Sequence, residues 1–232
     1  MLIKFYFIIL KTYKNYFIKK TKFNKIQKKM EESAILTLKI IILGSSEVGK
    51  TSILERYFKN EFHGNQLSSI GIDFQTKFFK FDENKIKVNY IDTAGQEKFR
   101  AISVNYLKAA HGVILVFDIT KEKTFSALEE WMNHLKENNQ LNIEKVLIGN
   151  KIDLEEKREV QKEEAENFAK SIGCKYYEGS AKTDININEP LDEIAKITYL
   201  SRKDKIKNKE INDSMMTLSK KNINNKEKKK CC

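Results

Sequence analysis

Gly44-Ser45-Ser46-Glu47-Val48-Gly49-Lys50-Thr51 has the spacing Gly, four residues, Gly-Lys-Thr. That spacing suits a polyphosphate. Successive backbone N–H groups and the positive end of the following helix surround the α- and β-phosphates, and Lys50 reaches the β- and γ-phosphates. The Thr51 hydroxyl can coordinate Mg²⁺. Asp92-Thr93-Ala94-Gly95-Gln96-Glu97 supplies a second set. Asp92, at the end of a strand, is placed to hold a metal-bound water, Gly95 offers a backbone N–H, and Gln96 can orient an attacking water. Asn150-Lys151-Ile152-Asp153 is the third. Asp153 can accept two N–H bonds from the guanine edge, a donor pair that adenine lacks, so the wrong base would leave a carboxylate unpaired. Ser180-Ala181-Lys182 follows the last expected strand and supplies a backbone N–H for the guanine carbonyl oxygen.

These stretches need strand ends to stand on, and the hydrophobic pattern provides them. Leu38–Leu43 is an apolar run broken only by Lys39, as expected of a strand buried on both faces of a parallel sheet. Phe74–Phe81 and Lys85–Ile91, separated by Asp82-Glu83-Asn84, read as a hairpin. Gly112–Ile119, Lys145–Gly149 and Cys174–Glu178 read as further strands. Helical periodicity covers 50–59 and about 97–109, 124–138, 161–171 and 190–203. The expected fold is α/β: a doubly wound, mostly parallel six-stranded sheet with one antiparallel edge strand and helices on both faces.

The net charge of +11 is unevenly spread. Residues 1–30 hold nine lysines and no acid, while 201–232 hold eleven Lys/Arg against four acids. The stretch between carries 23 bases and 28 acids. Basic ends on a mildly acidic body suit an anionic membrane surface, and no aromatic platform for stacked bases accompanies the tail lysines. A nucleic-acid partner is therefore not expected. Residues 1–35 form a basic extension, read either as an amphipathic segment or as a stretch ahead of a start at Met30. The nucleotide-binding domain is expected over 36–203, and 204–232 as a flexible basic tail closing on Cys231-Cys232. Three cysteines cannot build a disulfide framework. Cys174, His111 and Trp131 read as packing residues.

With these motifs in this order, residues 36–200 resemble the Ras-like small GTPases, and among them the Rab family. Ser69-Ile70-Gly71-Ile72-Asp73-Phe74 resembles the Rab form of the first switch, and Ala94–Arg100 and Leu115–Thr120 match other marker stretches. The resemblance implies a GTP/GDP switch in vesicle-mediated transport that hydrolyses GTP slowly unless an activating protein assists. It implies a phosphate-binding set running from Gly44 through Thr51 and Ser52, with Ser69 and Gly95, and a Mg²⁺ site of Thr51, Ser69 and Asp92. Gln96 would be catalytic. Phe62, Asn150, Lys151, Asp153, Ser180, Ala181 and Lys182 would bind guanine. Ile70, Gly71, Asp73, Phe74, Ile91, Phe99 and Tyr106 would form the surface that effectors read. Cys231 and Cys232 would carry prenyl chains and hold the protein on the cytoplasmic face of intracellular membranes. Implied partners are an exchange factor, a GTPase-activating protein, a GDP-dissociation inhibitor, prenylation escort machinery and effectors.

Departures from the family pattern carry expectations of their own. Glu47 puts a carboxylate into a loop made for anions, and it either points to solvent or weakens nucleotide affinity. Ser69 replaces a threonine and so loses the β-branch that stiffens χ1. Ile91 stands where most Rabs have tryptophan. Two rival readings are a non-hydrolysing lipid-tethered scaffold, which Gln96 opposes, and an ATP-dependent kinase, which Asn150–Asp153 opposes.

Overall fold

Leu36–Leu43 forms β1, and its side chains alternate between two apolar layers. Leu38, Ile40 and Ile42 point into one layer, whereas Ile41 and Leu43 point into the other. A strand buried on both faces can lie only in the middle of a sheet, and β1 sits there. In the computed structural model, which describes residues 36–64, 72–82, 84–93 and 106–203, six strands follow the order β2-β3-β1-β4-β5-β6. These are β2 (Ile72–Phe81), β3 (Asn84–Thr93), β4 (Gly112–Asp118), β5 (Glu144–Asn150) and β6 (Lys175–Gly179). Only the β2–β3 pair is antiparallel. The expected doubly wound sheet and its antiparallel edge are what the chain forms.

Helix α1 (Lys50–Lys59) covers one face with Ile53, Leu54 and Tyr57. The helical run 188–203, α5, lies on the same side through Leu191, Ile194, Ala195 and Tyr199. The other face is covered by α2 (Glu122–Ser126), α3 (Leu128–Glu137) and α4 (Lys162–Ser171). Leu128, Leu135, Ala165 and Ala169 are its buried contacts. The helix expected over 124–138 divides in two at Ala127, whose ψ of −13° tightens the turn there. The helix expected over 97–109 is described only at 106–108, and α5 begins two residues earlier than its periodicity suggested.

His111 extends the sheet beyond the start of β4. Its backbone N–H donates to Lys39 O at 2.7 Å and its ring Nδ1 accepts from Lys39 N–H at 3.1 Å. Burial and nearby Arg202 and Lys39 push its pKa down to about 4, so the ring is the neutral acceptor that this contact needs. Among the described residues no helix is long and apolar enough to cross a membrane.

Candidate nucleotide-binding site

Strand order reverses at β1, and the connections from the carboxyl ends of the strands converge there, where open α/β sheets bind ligands. The loop after β1 makes its turn at Gly44, with φ 150°, and Gly49, with φ 95°. Both glycines are also needed for space. A Cβ on Gly44 would stand 2.2 Å from Val116 O, and one on Gly49 would stand 2.4 Å from Asn150 Nδ2. The loop is thereby wedged between the ends of β4 and β5.

Lys50 is buried, and its ammonium donates to Gly44 O at 2.9 Å and Ser45 O at 2.8 Å. An ammonium has three donors, so two brace the loop and one remains. Burial pushes the Lys50 pKa down to about 8, with Asp92 pulling it back up. Thr51 Oγ1 donates to Asp92 Oδ2 at 2.7 Å, and a hydroxyl oxygen carries lone pairs as well as its donor. Asp92 Oδ1 is buried with no hydrogen-bond partner among the described residues. Burial raises the Asp92 pKa, while Thr51 and Lys50 oppose the shift. A buried carboxylate oxygen beside a hydroxyl fits a hard dication that takes few protein ligands and completes its shell with water and substrate phosphates. No group of three or more His, Cys, Asp or Glu suited to a metal occurs among the described residues.

At the far end of the same edge, polar groups answer one another. Asn150, the last residue of β5, is buried; its Nδ2 donates to Val48 O at 2.8 Å and its Oδ1 accepts from Ala181 N–H at 3.2 Å. One amide thus ties together the loops after β1, β5 and β6. Ser180 Oγ donates to Asp153 Oδ1 at 2.6 Å, and Lys182 Nζ lies 3.5 Å from Oδ2. A carboxylate has about four acceptor positions, so Asp153 is oriented with capacity to spare. Lys151, in a left-handed turn with φ 73°, places its ammonium 2.7 Å from Asp118 Oδ2.

The chain that carries these residues is similar in sequence to known proteins. A profile of the Ras family covers residues 39–199. Ras-related protein Rab-13 of Bos taurus is 40% identical over 189 residues, which span 80% of this chain and 93% of that relative. Ras-related protein Rab-8B of Homo sapiens is 40% identical over 167 residues, spanning 71% of this chain and 81% of that relative. The chain belongs to the Ras family, as a Rab-like small GTPase. It is a hydrolase of GTP and a switch in vesicle trafficking.

The sheet of this Rab-like GTPase brings Gly44–Ser52, Asp92, Asn150, Lys151, Asp153 and Ser180–Lys182 to one edge. Phe62 packs, partly buried, against the α1 side of the core. Ser69, Ile70, Gly71, Gly95, Gln96, Phe99, Cys231 and Cys232 lie outside the described residues. Phe74 is 51% exposed, with its ring centroid 5.8 Å from that of Tyr106, and the exposed Asp73 accepts the Phe74 N–H. Ile91 departs from expectation. It is only 1% exposed and belongs to the layer of Ile41, Leu43 and Phe117, because its position in β3 turns it to the core face. Glu47 points outward, 68% exposed, with Lys121 Nζ at 3.1 Å.

Two contributors escaped the sequence reading. Asp118 stands at the end of a wholly apolar strand, and a carboxylate in that position calls for a buried cation, so a signal existed. Arg56 donates from Nε to Ala181 O at 2.9 Å and from Nη2 to Lys182 O at 3.1 Å. Its partners lie 125 and 126 residues away, and no local pattern announces them.

Proposed function

We propose that the site binds GTP with its phosphates over Gly44–Ser52 and its base against Asp153, Lys151 and the Ser180–Lys182 loop, within a domain spanning 36–203. The observation that carries this reading is the pairing of Thr51 with Asp92 beside Lys50, at the opposite end of the edge from the Ser180-held carboxylate of Asp153. Thr51, Ser69 and, through water, Asp92 would hold Mg²⁺, which neutralises negative charge on the phosphate oxygens. Lys50, with two donors fixed on the loop, directs the third at the β- and γ-phosphates, and the loop amides share the developing charge. Gln96 orients a water for in-line attack on the γ-phosphorus. The bond to the bridging oxygen breaks, and that oxygen leaves with GDP. Ser69 and Gly95 hold the γ-phosphate, so its loss releases residues 66–75 and 94–106, which carry Ile70, Gly71 and Phe99. Phe62 packs its ring edge against the base.

The protein works on the cytoplasmic face of intracellular membranes, anchored by prenyl groups on Cys231 and Cys232 beside Lys226–Lys230, a stretch basic apart from Glu227. Two chains, or one chain and a basic patch, give anchoring that one alone does not. A GTPase-activating protein supplies a further positive charge at the γ-phosphate, beyond that of Lys50. An exchange factor reloads GTP, and a GDP-dissociation inhibitor, the prenylation escort machinery and effectors complete the cycle. Effectors read the exposed Phe74 with Tyr106.

The test is competition against bound fluorescent GDP in the purified full chain. GTP and GDP are expected to displace it, ATP is expected to fail at hundredfold excess, and chelation of divalent cations is expected to speed release. Equal displacement by ATP would overturn the assignment.

A further inference from the structure

We propose that Arg56 is a positioning residue that sets guanine specificity, because its guanidinium grips the far side of the peptide that presents an N–H to the base. This rests on the base-binding reading above. Ala181, Lys182 and Thr183 carry the backbone N–H groups that follow Ser180 in the loop after β6. Ala181 N–H is given to Asn150 Oδ1 at 3.2 Å, and Thr183 N–H to Ser180 Oγ at 3.1 Å. Neither bond uses Lys182 N–H, which shares a peptide group with Ala181 C=O. That peptide is trans, so its C=O and N–H point in opposite directions. Holding the oxygen fixes where the N–H aims.

Arg56 Nε holds that oxygen at 2.9 Å. Nη2 takes the next carbonyl, Lys182 O, at 3.1 Å. Nη1 is anchored on its own helix end by Asn60 O at 3.0 Å and Asn60 Oδ1 at 3.1 Å. The planar fork is therefore fixed at both ends, which the point charge of a lysine could not achieve. A charged donor on a peptide oxygen also polarises the attached N–H, so the group is strengthened as well as aimed. Its complement on a purine is an acceptor at C6, which guanine has as a carbonyl oxygen. Adenine presents an amino donor there. Asp153 reads the N1 and N2 edge, and Arg56, through Lys182 N–H, sharpens the reading at C6. Arg56 sits six residues beyond Lys50 on α1, so the helix that starts at the phosphates ends by bracing the base loop.

The experiment compares GDP with 2-aminopurine riboside diphosphate, which keeps the 2-amino group and phosphates but lacks the 6-oxygen and the N1–H; the N1 contact belongs to Asp153, so the effect of Arg56 is read as the change in preference between variants. Affinities are measured for the full chain, Arg56→Ala and Arg56→Lys. The wild type is expected to prefer GDP, and Arg56→Ala to shrink that preference by about five- to tenfold while changing affinity for the analogue less than about twofold. Arg56→Lys should fall between them. Should Arg56→Ala fold poorly, the Arg56→Lys ratio alone decides, and a ratio equal to wild type overturns the proposal. Equal losses for both ligands in either variant also overturn it, because a merely structural clamp would act on both. A wild type with no preference between GDP and the analogue would bring down the base-binding reading itself, and this inference with it.

Discussion

The two ends of the proposed nucleotide site are built on opposite principles. At the base end, Asn150, Asp153, Lys151 and Arg56 are each committed to a protein partner, through Val48, Ala181, Ser180, Asp118 and Lys182. At the phosphate end, Lys50 spends two donors on its own loop, and Asp92 buries an oxygen without a hydrogen-bond partner among the described residues. The base end is a shape fixed by folding. Burial without full pairing is costly, so the phosphate end carries electrostatic tension that suits a ligand of high charge.

Asp153→Ala attacks the preformed end most directly and is expected to have the largest effect. It removes the carboxylate that Ser180 orients, and loss of a hydrogen-bonding discriminator costs on the order of 10²–10⁴-fold in selectivity. Displacement assays with GDP and inosine diphosphate should show GDP affinity falling towards that of inosine diphosphate, which lacks the 2-amino group. An unchanged ratio would mean that Asp153 does not face the ring.

Asn150→Ala asks whether the two ends are one structure. It strands Val48 O and Ala181 N–H, both served by this amide. Each buried orphan costs roughly 1–3 kcal/mol, so a loss of about 2–4 kcal/mol in denaturant unfolding is expected. Nucleotide release should speed up for guanosine and inosine diphosphates alike. Were only the base preference to change, the tie to the phosphate loop would be unimportant.

The difference between the ends also explains what the sequence made legible. The phosphate loop announces itself because its chemistry is contiguous: Gly44, Gly49, Lys50 and Thr51 act within eight residues. The sheet was legible for a similar reason, since β1 and β4 are nearly unbroken apolar runs. What stayed hidden depends on side-chain direction or on contacts between distant segments. Ile91 reads as a surface residue by its place in a motif, yet β3 turns it inward. Arg56 reads as an ordinary residue of the last turn of α1 until the loop after β6 arrives beside it.

The charged end should respond to pH in a range where the base does not. Burial holds Lys50 at a pKa of about 8, below the ordinary lysine value. A bound polyphosphate favours the protonated form, so the free protein must take up a proton to bind once pH passes that value. The sign follows: affinity falls as pH rises. Between pH 7 and 8.5 GDP binding should weaken about fourfold, since a pKa unit is a factor of ten in proton occupancy. Calorimetry in buffers of different ionisation enthalpy would register proton uptake at pH 8.5 and little at pH 7. Affinity that is flat across the interval would mean that Lys50 stays charged without the nucleotide.

The smallest effect is expected at the residue that looks most disruptive in the sequence. Glu47 introduces a negative charge into a loop for anions, but its side chain is 68% exposed and lies 3.1 Å from Lys121 Nζ. An exposed pair of this kind contributes between zero and about 1 kcal/mol, and solvent screens the carboxylate from the phosphates just as it screens it from the lysine. The backbone matters as much. Glu47 sits at φ 64°, in the left-handed region, which glycine adopts without steric cost. Glu47→Gly therefore loses a weak ion pair and relieves a weak strain, and the two nearly cancel. GDP release should change by less than about threefold, and the unfolding midpoint should barely move. Lys121→Ala separates the two contributions, because it leaves the strain in place and removes only the partner. If Glu47 then slows GDP binding at low salt and not at high salt, the carboxylate does reach the phosphates, and Lys121 is what keeps it away from them.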